Sequence, residues 1–121
     1  IHDVARATVP AFIISNVISA LAVQEGAAPA LTITDALWRG QSGLVQESVT
    51  RVGLYRAQTP QGFHFEPILA AHRKASRDAP DDVEVALMAG LNVAIVDGCE
   101  TNIKITYPED FSRVEKILKG Q

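Results

Sequence analysis

At 121 residues the chain is long enough for one domain with a buried core, and its 47% hydrophobic and 21% charged residues are typical of a globular protein. Its formal charge of −3, with lysine and arginine scattered along the chain, argues against a nucleic-acid-binding surface. The single cysteine, Cys99, excludes an internal disulfide and favours a cytoplasmic protein, and the stretch 9–23 is too polar and too short to span a membrane.

The first part of the chain predicts a helix followed by a strand. Residues 8–26 have a helical pattern, because Pro10 suits a first helical turn and Gly26 can end the helix. We expect the inward side of this helix to carry Phe12, Ile13, Val17 and Leu21. The stretch APALTIT (28–34) then alternates apolar residues with threonines, which predicts a strand.

Residues 34–56 predict a β-hairpin that projects from the body of the protein. Two strand-like arms flank the stretch 40–43, whose sequence Gly-Gln-Ser-Gly suits a hairpin tip. A lone two-stranded hairpin is marginally stable in water, so the apolar side chains on its arms favour a partner surface. A second copy of the same chain is the simplest such partner.

The stretch 59–90 predicts two helices. A turn containing Pro60 leads into the first helix, whose inward side we expect to be formed by Phe65, Ile68, Leu69 and His72. The second helix falls in the segment APDDVEVALMAG (79–90), where Asp81 can cap the helix and Glu84 lies three residues further on, at capping-box spacing.

The last part of the chain predicts two strands and a helix. The continuous apolar run LNVAIVDG (91–98) is typical of a strand buried on both faces, and NIKIT (102–106) predicts a shorter strand. Residues 106–120 predict a closing helix, with Thr106 and Glu109 at capping-box spacing.

This alternation of strands and helices predicts an α/β layer with a partly parallel sheet. Ligands of such sheets bind beyond the carboxyl ends of the strands. Asp3 and Asp97 follow apolar stretches at positions that suit this rim, whereas Lys104 falls inside its short predicted strand.

Five segments together resemble the 2-C-methyl-D-erythritol 4-phosphate cytidylyltransferase family. In chain order they are HDVAR (2–6), TDALWR (34–39), GLYRAQTPQGF (53–63), DDVEVALMAG (81–90) and NIKITYPEDF (102–111). The resemblance implies that residues 1–121 are the C-terminal half of one Rossmann-like, mixed-sheet nucleotidyltransferase domain. It also implies that the hairpin, residues 34–56, is a β-arm for homodimerisation.

The resemblance implies transfer of CMP from CTP to a sugar-alcohol phosphate, with release of pyrophosphate and with Mg²⁺ as cofactor. Two anionic reactants must meet in this reaction, which therefore calls for well-placed cations. The family's glycine-rich loop for CTP is not expected within this chain, because its eight glycines do not cluster.

The family match implies a role for five residues. Asp3 corresponds to an acidic catalytic residue near the metal, and Lys104 to a catalytic lysine that reaches the reacting phosphates. Arg6 and Thr59 correspond to substrate-binding residues, and Arg51 to an arginine that holds the substrate phosphate of the neighbouring subunit. From the sequence pattern alone, the same positions also have ordinary structural explanations. Asp3 can be a strand-end cap, Arg51 and Lys104 can be solvated surface charges, and Thr59 can be a turn residue.

Departures from the family pattern leave alternatives open. Ala36 stands where the family often has threonine, which leaves a ribitol 5-phosphate type of cytidylyltransferase as a rival. Ala36 followed by LWR resembles members fused to a cyclodiphosphate synthase, in which case Gln121 would be an internal boundary. A short, non-catalytic dimerisation module is the third alternative.

Overall fold

The computed structural model describes residues 1–120, which form four α-helices and six β-strands in a mixed α/β fold, as predicted. The helices are α1 (Ala11–Ala20), α2 (Phe65–Lys74), α3 (Asp82–Met88) and α4 (Asp110–Leu118). The strands are β1 (Gly26–Thr32), β2 (Leu37–Gln41), β3 (Leu44–Val49), β4 (Tyr55–Ala57), β5 (Gly62–Phe63) and β6 (Val93–Asp97). No helix within this range is both long and apolar enough to cross a membrane.

Strand β1 lies at the centre of a four-stranded sheet. It pairs in parallel with β6, from Gly26 opposite Val93 to Ala30 opposite Asp97. Along its other edge it pairs antiparallel with β4 and β5. The sheet is therefore only partly parallel, and the chain crosses over between β1 and β6 through the hairpin, α2 and α3.

Helices cover both faces of this sheet. On one face, Ile13 and Val17 of α1 pack against Ala27 of β1 together with Ala94 and Val96. On the other, the cluster is formed by Ile68, Ala71, Val85 and Ala86 of α2 and α3, with Val93 against it. Because successive strand residues point to opposite faces, β6 contributes to both clusters.

Three side chains expected to face the core are exposed. Phe12 is 49% exposed, since Ile13 and Val17, four residues apart, occupy the buried stripe of α1. Phe65 is 69% exposed, because it is the first residue of α2 and lies beyond the apolar cluster. His72 is also exposed, and its Nε2 lies 2.9 Å from Asp82 Oδ1, which holds the ring outward.

Two strand predictions need correction. Strand β6 is not buried on both faces, because Ile95 is 57% exposed and α2 and α3 cover only the start of the strand. The segment 102–106 is an extended loop rather than a strand. Its backbone bonds to a turn, with Ile105 N donating to Ala5 O at 2.9 Å, instead of joining a sheet.

Helix α4 starts without the predicted capping box. Asp110 Oδ2 accepts hydrogen bonds from the backbone N–H groups of Thr106 and Tyr107, each at 3.0 Å, and Glu109 makes no side-chain cap. The Asp110 carboxylate therefore provides the hydrogen-bond acceptor for two backbone N–H groups of the loop before the helix. Gln121, the expected boundary to a fused enzyme, lies outside the described residues.

The cap of α3 is confirmed, and a hairpin forms within the predicted stretch 34–56, although Tyr55 and Arg56 belong to β4 of the main sheet. Asp81 Oδ1 accepts from Glu84 N at 2.9 Å, as an N-cap side chain does. Strands β2 and β3 form a separate two-stranded sheet. Its tip has positive φ at Ser42 (52°) and Gly43 (77°), the pattern of a tight hairpin turn. Trp38 on this arm is 67% exposed.

Candidate functional site

A cavity of about 220 Å³ lies where the N-terminal segment meets the loops after β4 and β6. Four of the five residues predicted for the site line it, namely Asp3, Arg6, Thr59 and Lys104. They come from three separate parts of the sequence. Asp81 and Asp82, at the start of α3, add two carboxylates to the wall.

Backbone hydrogen bonds hold residues 1–6 to the cavity. Ile1 and Gln61 exchange two of them, Ile1 N to Gln61 O at 2.9 Å and Gln61 N to Ile1 O at 2.8 Å. A turn follows, closed by Arg6 N donating to Asp3 O at 3.0 Å. This turn brings both the carboxylate of Asp3 and the guanidinium of Arg6 to the cavity.

Opposite charges face one another in the cavity. Asp3 Oδ2 lies 3.5 Å from Arg6 Nε and 3.6 Å from Lys104 Nζ. The Arg6 side chain is only 11% exposed, whereas that of Lys104 is 55% exposed. Burial lowers the pKa of the Arg6 guanidinium, and the nearby carboxylate of Asp3 opposes that shift. Arg6 is therefore an anchored cation and Lys104 an accessible one.

A buried pair of amides supports these groups. Arg6 Nη1 donates to the backbone oxygen of Asn102 at 2.6 Å, and Asn102 Nδ2 donates to Thr59 O at 2.8 Å. Gln58 bonds to both backbone groups of Cys99, through Nε2 to the oxygen at 2.9 Å and through Oε1 from the N–H at 3.1 Å. Asn102 and Gln58 thus tie the loop that carries Lys104 to the residues around Thr59.

Sequence reasoning missed the contribution of three residues. It assigned no role to the Gln58 and Asn102 pair, and it gave none to His2. The ring of His2 bridges the cavity wall, with Nδ1 2.8 Å from Thr59 Oγ1 and Nε2 2.9 Å from Arg6 O. The position of His2 next to Asp3 in the HDVAR segment was the available signal.

Arg51 and Asp97 lie apart from the other predicted groups. Arg51 follows the hairpin, and its Nη1 donates to Thr34 O at 2.6 Å near the hairpin base. Asp97 ends β6 and is absent from the lining of the cavity. The site residues of one chain therefore fall into a cavity group and a separate hairpin group.

Few side chains of the described residues are arranged to bind a metal ion. Among residues 1–120, no three His, Cys, Asp or Glu side chains come together as a metal-binding group. Asp3 is partly exposed, and both of its ion pairs are made by Oδ2. One accessible carboxylate fits a Mg²⁺ ion whose remaining ligands are phosphate oxygens and water, the usual arrangement at nucleotide sites.

Solved structures show the same architecture. The chain is similar to a 2-C-methyl-D-erythritol 4-phosphate cytidylyltransferase from Thermus thermophilus, with a TM-score of 0.90 and 32% identity over 98% of this chain and 60% of that one. It is also similar to a 4-diphosphocytidyl-2C-methyl-D-erythritol synthase, with a TM-score of 0.88 and 30% identity over 97% of this chain and 54% of that one. Together with the mixed sheet, these matches define the class: the chain has the fold of part of a nucleotidyltransferase domain.

The sequence comparisons identify the family. Residues 1–120 match the family described as IspD, 2-C-methyl-D-erythritol 4-phosphate cytidylyltransferase, and the chain belongs to that family. It is 61% identical, over 119 residues, to a protein of Rhodobacter capsulatus named bifunctional enzyme IspD/IspF, and the match covers 98% of this chain and 31% of that protein. It is 56% identical, over 118 residues, to a 2-C-methyl-D-erythritol 4-phosphate cytidylyltransferase of Cereibacter sphaeroides, covering 98% and 52%. The chain thus spans about half the length of single-function relatives and about a third of the bifunctional one.

Proposed function

We propose that this chain is the substrate-binding half of a cytidylyltransferase that converts CTP and 2-C-methyl-D-erythritol 4-phosphate to 4-diphosphocytidyl-2-C-methyl-D-erythritol and pyrophosphate. The observation that carries the proposal is the meeting of Asp3, Arg6, Thr59 and Lys104 in one cavity. These residues come from distant segments of a chain that matches the family along residues 1–120.

In the proposed reaction, a phosphate oxygen of the sugar alcohol forms a bond to the α-phosphorus of CTP. The bond from that phosphorus to the oxygen bridging to the β-phosphate breaks, and its electron pair leaves with pyrophosphate. Lys104 and Arg6 supply positive charge where two anionic groups approach each other, which lowers the electrostatic cost of the encounter. Because Arg6 is held by Asn102, its charge is fixed before the substrates arrive.

Asp3 has two proposed roles. Its Oδ2 lies between Arg6 and Lys104, so it orients both cations by charge. Its carboxylate is also the group in the cavity that we assign to Mg²⁺. When bound, this ion would neutralise negative charge on the reacting phosphates.

We propose that the hairpin acts between two copies of the chain. Its exposed Trp38 and Leu44, at 67% and 68% exposure, offer apolar area to a partner. Arg51 lies near the base of this arm and outside the cavity of its own chain, which supports a role in the neighbouring subunit's site. The charged, water-soluble reactants fit a cytoplasmic location.

A ribitol 5-phosphate type of cytidylyltransferase is the second candidate function. It is favoured by Ala36, which places a methyl group at the hairpin base where the family often has a hydroxyl. A test of both functions is to incubate the intact protein with CTP, Mg²⁺ and one of the two sugar phosphates, and to measure pyrophosphate. We expect release with methylerythritol phosphate. Release with ribitol 5-phosphate alone would favour the rival, and release with neither would favour a non-catalytic dimerisation module.

A further inference from the structure

His2 makes two hydrogen bonds that together determine which ring nitrogen carries the proton when the ring is neutral. Its Nε2 is 2.9 Å from the backbone oxygen of Arg6, and its Nδ1 is 2.8 Å from the hydroxyl oxygen of Thr59. A carbonyl oxygen can only accept, so Nε2 must carry the ring proton. In the neutral ring, Nδ1 is then an acceptor, and the hydroxyl of Thr59 donates to it.

The same hydroxyl has a second partner. The backbone N–H of Asp3 donates to Thr59 Oγ1 at 3.0 Å. A threonine hydroxyl has one proton and two lone pairs, so His2 takes the proton and Asp3 takes one lone pair. Thr59 lines the cavity, and one acceptor lone pair is all that its hydroxyl has left for a ligand.

We propose that His2 is a positioning residue that orients the Thr59 hydroxyl as a hydrogen-bond acceptor, so that Thr59 binds a hydroxyl group of the polyol and not its phosphate. Phosphate oxygens are acceptors and need donors, whereas a polyol hydroxyl can donate. The charges of Arg6 and Lys104 remain for the phosphates. This inference rests on the proposed cytidylyl transfer and adds a specificity element to it.

Two substitutions of His2 separate its contacts. In His2→Gln the longer side chain reaches the position of Nε2, which keeps the bond to the Arg6 carbonyl and loses the one to Thr59. In His2→Asn the shorter side chain reaches the position of Nδ1, and its oxygen can still accept from Thr59. We expect His2→Gln to raise KM for the sugar-alcohol phosphate by roughly 3- to 10-fold, the loss of one neutral hydrogen bond, with little change in KM for CTP. We expect His2→Asn to stay close to wild type.

A double-mutant cycle tests whether His2 acts through Thr59. Thr59→Val removes the hydroxyl while keeping the branched shape. If His2 only orients that hydroxyl, adding His2→Gln to Thr59→Val should raise KM no further. As a matched control, His64→Gln changes an exposed histidine whose Nε2 bonds to the backbone oxygen of Leu21 at 2.7 Å, outside the cavity. We expect this control to leave both KM values unchanged.

Deoxy analogues of the sugar-alcohol phosphate identify the hydroxyl that is bound. With the analogue that lacks it, wild type and His2→Gln should have equal KM values. The inference would be overturned if the effects of the two substitutions on KM were additive, or if KM for CTP rose in parallel. It would also be overturned if the ratio of KM between His2→Gln and wild type were the same with every analogue. Loss of folding in both His2 variants, measured by thermal unfolding, would overturn it as well, since His2 would then act on stability. Inactive wild-type protein would contradict the proposed function, whereas active wild type with unaffected His2→Gln would contradict this inference alone.

Discussion

The side-chain amide of Asn102 donates a hydrogen bond to the backbone oxygen of Thr59 across 2.8 Å, although 43 residues separate the two in the sequence. Asn102 is 1% exposed, so this bond forms away from water. Its own backbone oxygen accepts from Arg6 Nη1 at 2.6 Å. Asn102 is therefore hydrogen-bonded both to Arg6, the proposed phosphate-binding residue, and to Thr59, the proposed polyol-binding residue.

Replacing Asn102 should destabilise the protein. Asn102→Leu keeps the branched shape but removes the side-chain donor to Thr59 O and the weaker contact with Gln58 Oε1 at 3.4 Å. Because Thr59 O then loses its buried partner, we expect the free energy of unfolding to fall by about 1–3 kcal/mol. Urea denaturation of the intact protein, followed by circular dichroism, measures this. Asn16→Leu changes an exposed asparagine of α1 and serves as the control. Equal midpoints for the two variants would contradict the role given to Asn102.

A methyl group at Gly98 should disturb the same network. An added Cβ would lie 2.6 Å from Gln58 Oε1, closer than real Cβ contacts allow, and 3.1 Å from the backbone of Ala30, which is tighter than most of them. Since β1 cannot move easily, we expect Gly98→Ala to displace the Gln58 amide, lower stability by about 1–3 kcal/mol and reduce turnover. Gly40→Ala is the matched control, because its Cβ would meet Leu44 O at 3.5 Å. A fully active and stable Gly98→Ala protein would show that Gln58 does not need its present position.

Asp110 should make stability depend on pH in the acid range. Hydrogen bonds from the backbone of Tyr107 and Thr106 lower the pKa of its carboxyl group below the ordinary value of 3.8. Because the pKa is lower in the folded than in the unfolded protein, the ionised carboxyl group stabilises the folded protein at pH values above 3.8. This contribution to the free energy of unfolding is lost as the pH falls through 3.8 and then through the folded-state pKa.

The comparison of wild type with Asp110→Asn measures this contribution. We expect the difference in unfolding free energy to be constant above about pH 5 and to shrink steadily as the solution is made more acidic. Urea denaturation at a series of pH values provides the data. Glu115→Gln, at an exposed position of the same helix, is the control. A difference that grows on acidification would have the wrong sign for the proposed carboxylate bonds.

Mixed dimers should reveal whether the hairpin completes a neighbouring site. If Asp3 acts in its own chain and Arg51 in the partner's site, Asp3→Ala and Arg51→Ala dimers are each inactive. Random mixing makes half of the dimers mixed, and each of these has one intact site in two, so about a quarter of wild-type activity should return. Pyrophosphate release after mixing and reassociation measures this. No recovery in confirmed mixed dimers would place both residues in the same chain's site.

Local patterns in the sequence predicted much of the fold. The Asp81 cap of α3 and the tight turn at Gly43 each depend on a few neighbouring residues, and both are confirmed. The ends of α1 differ from the prediction, because Pro10 is its N-cap and lies before the first turn, and Gly26 begins β1 and does not end the helix. The pattern failed at 102–106, where alternating Ile103 and Ile105 suggested a strand. Hydrogen bonds between strands require a neighbouring edge, and this loop instead bonds to the turn at Ala5.

The sequence by itself determined the family, through motifs specific enough to name Asp3, Arg6, Thr59 and Lys104. Only the tertiary structure decided how these residues are held. Most of the side-chain hydrogen bonds of Gln58, Asn102 and His2 join residues that are 41 to 57 positions apart in the sequence. Local periodicity reports which side of a helix or strand is buried, and it carries no information on which distant hydroxyl or carbonyl completes a hydrogen bond. That pairing follows from packing, which brings two loops and the N-terminal segment to one cavity.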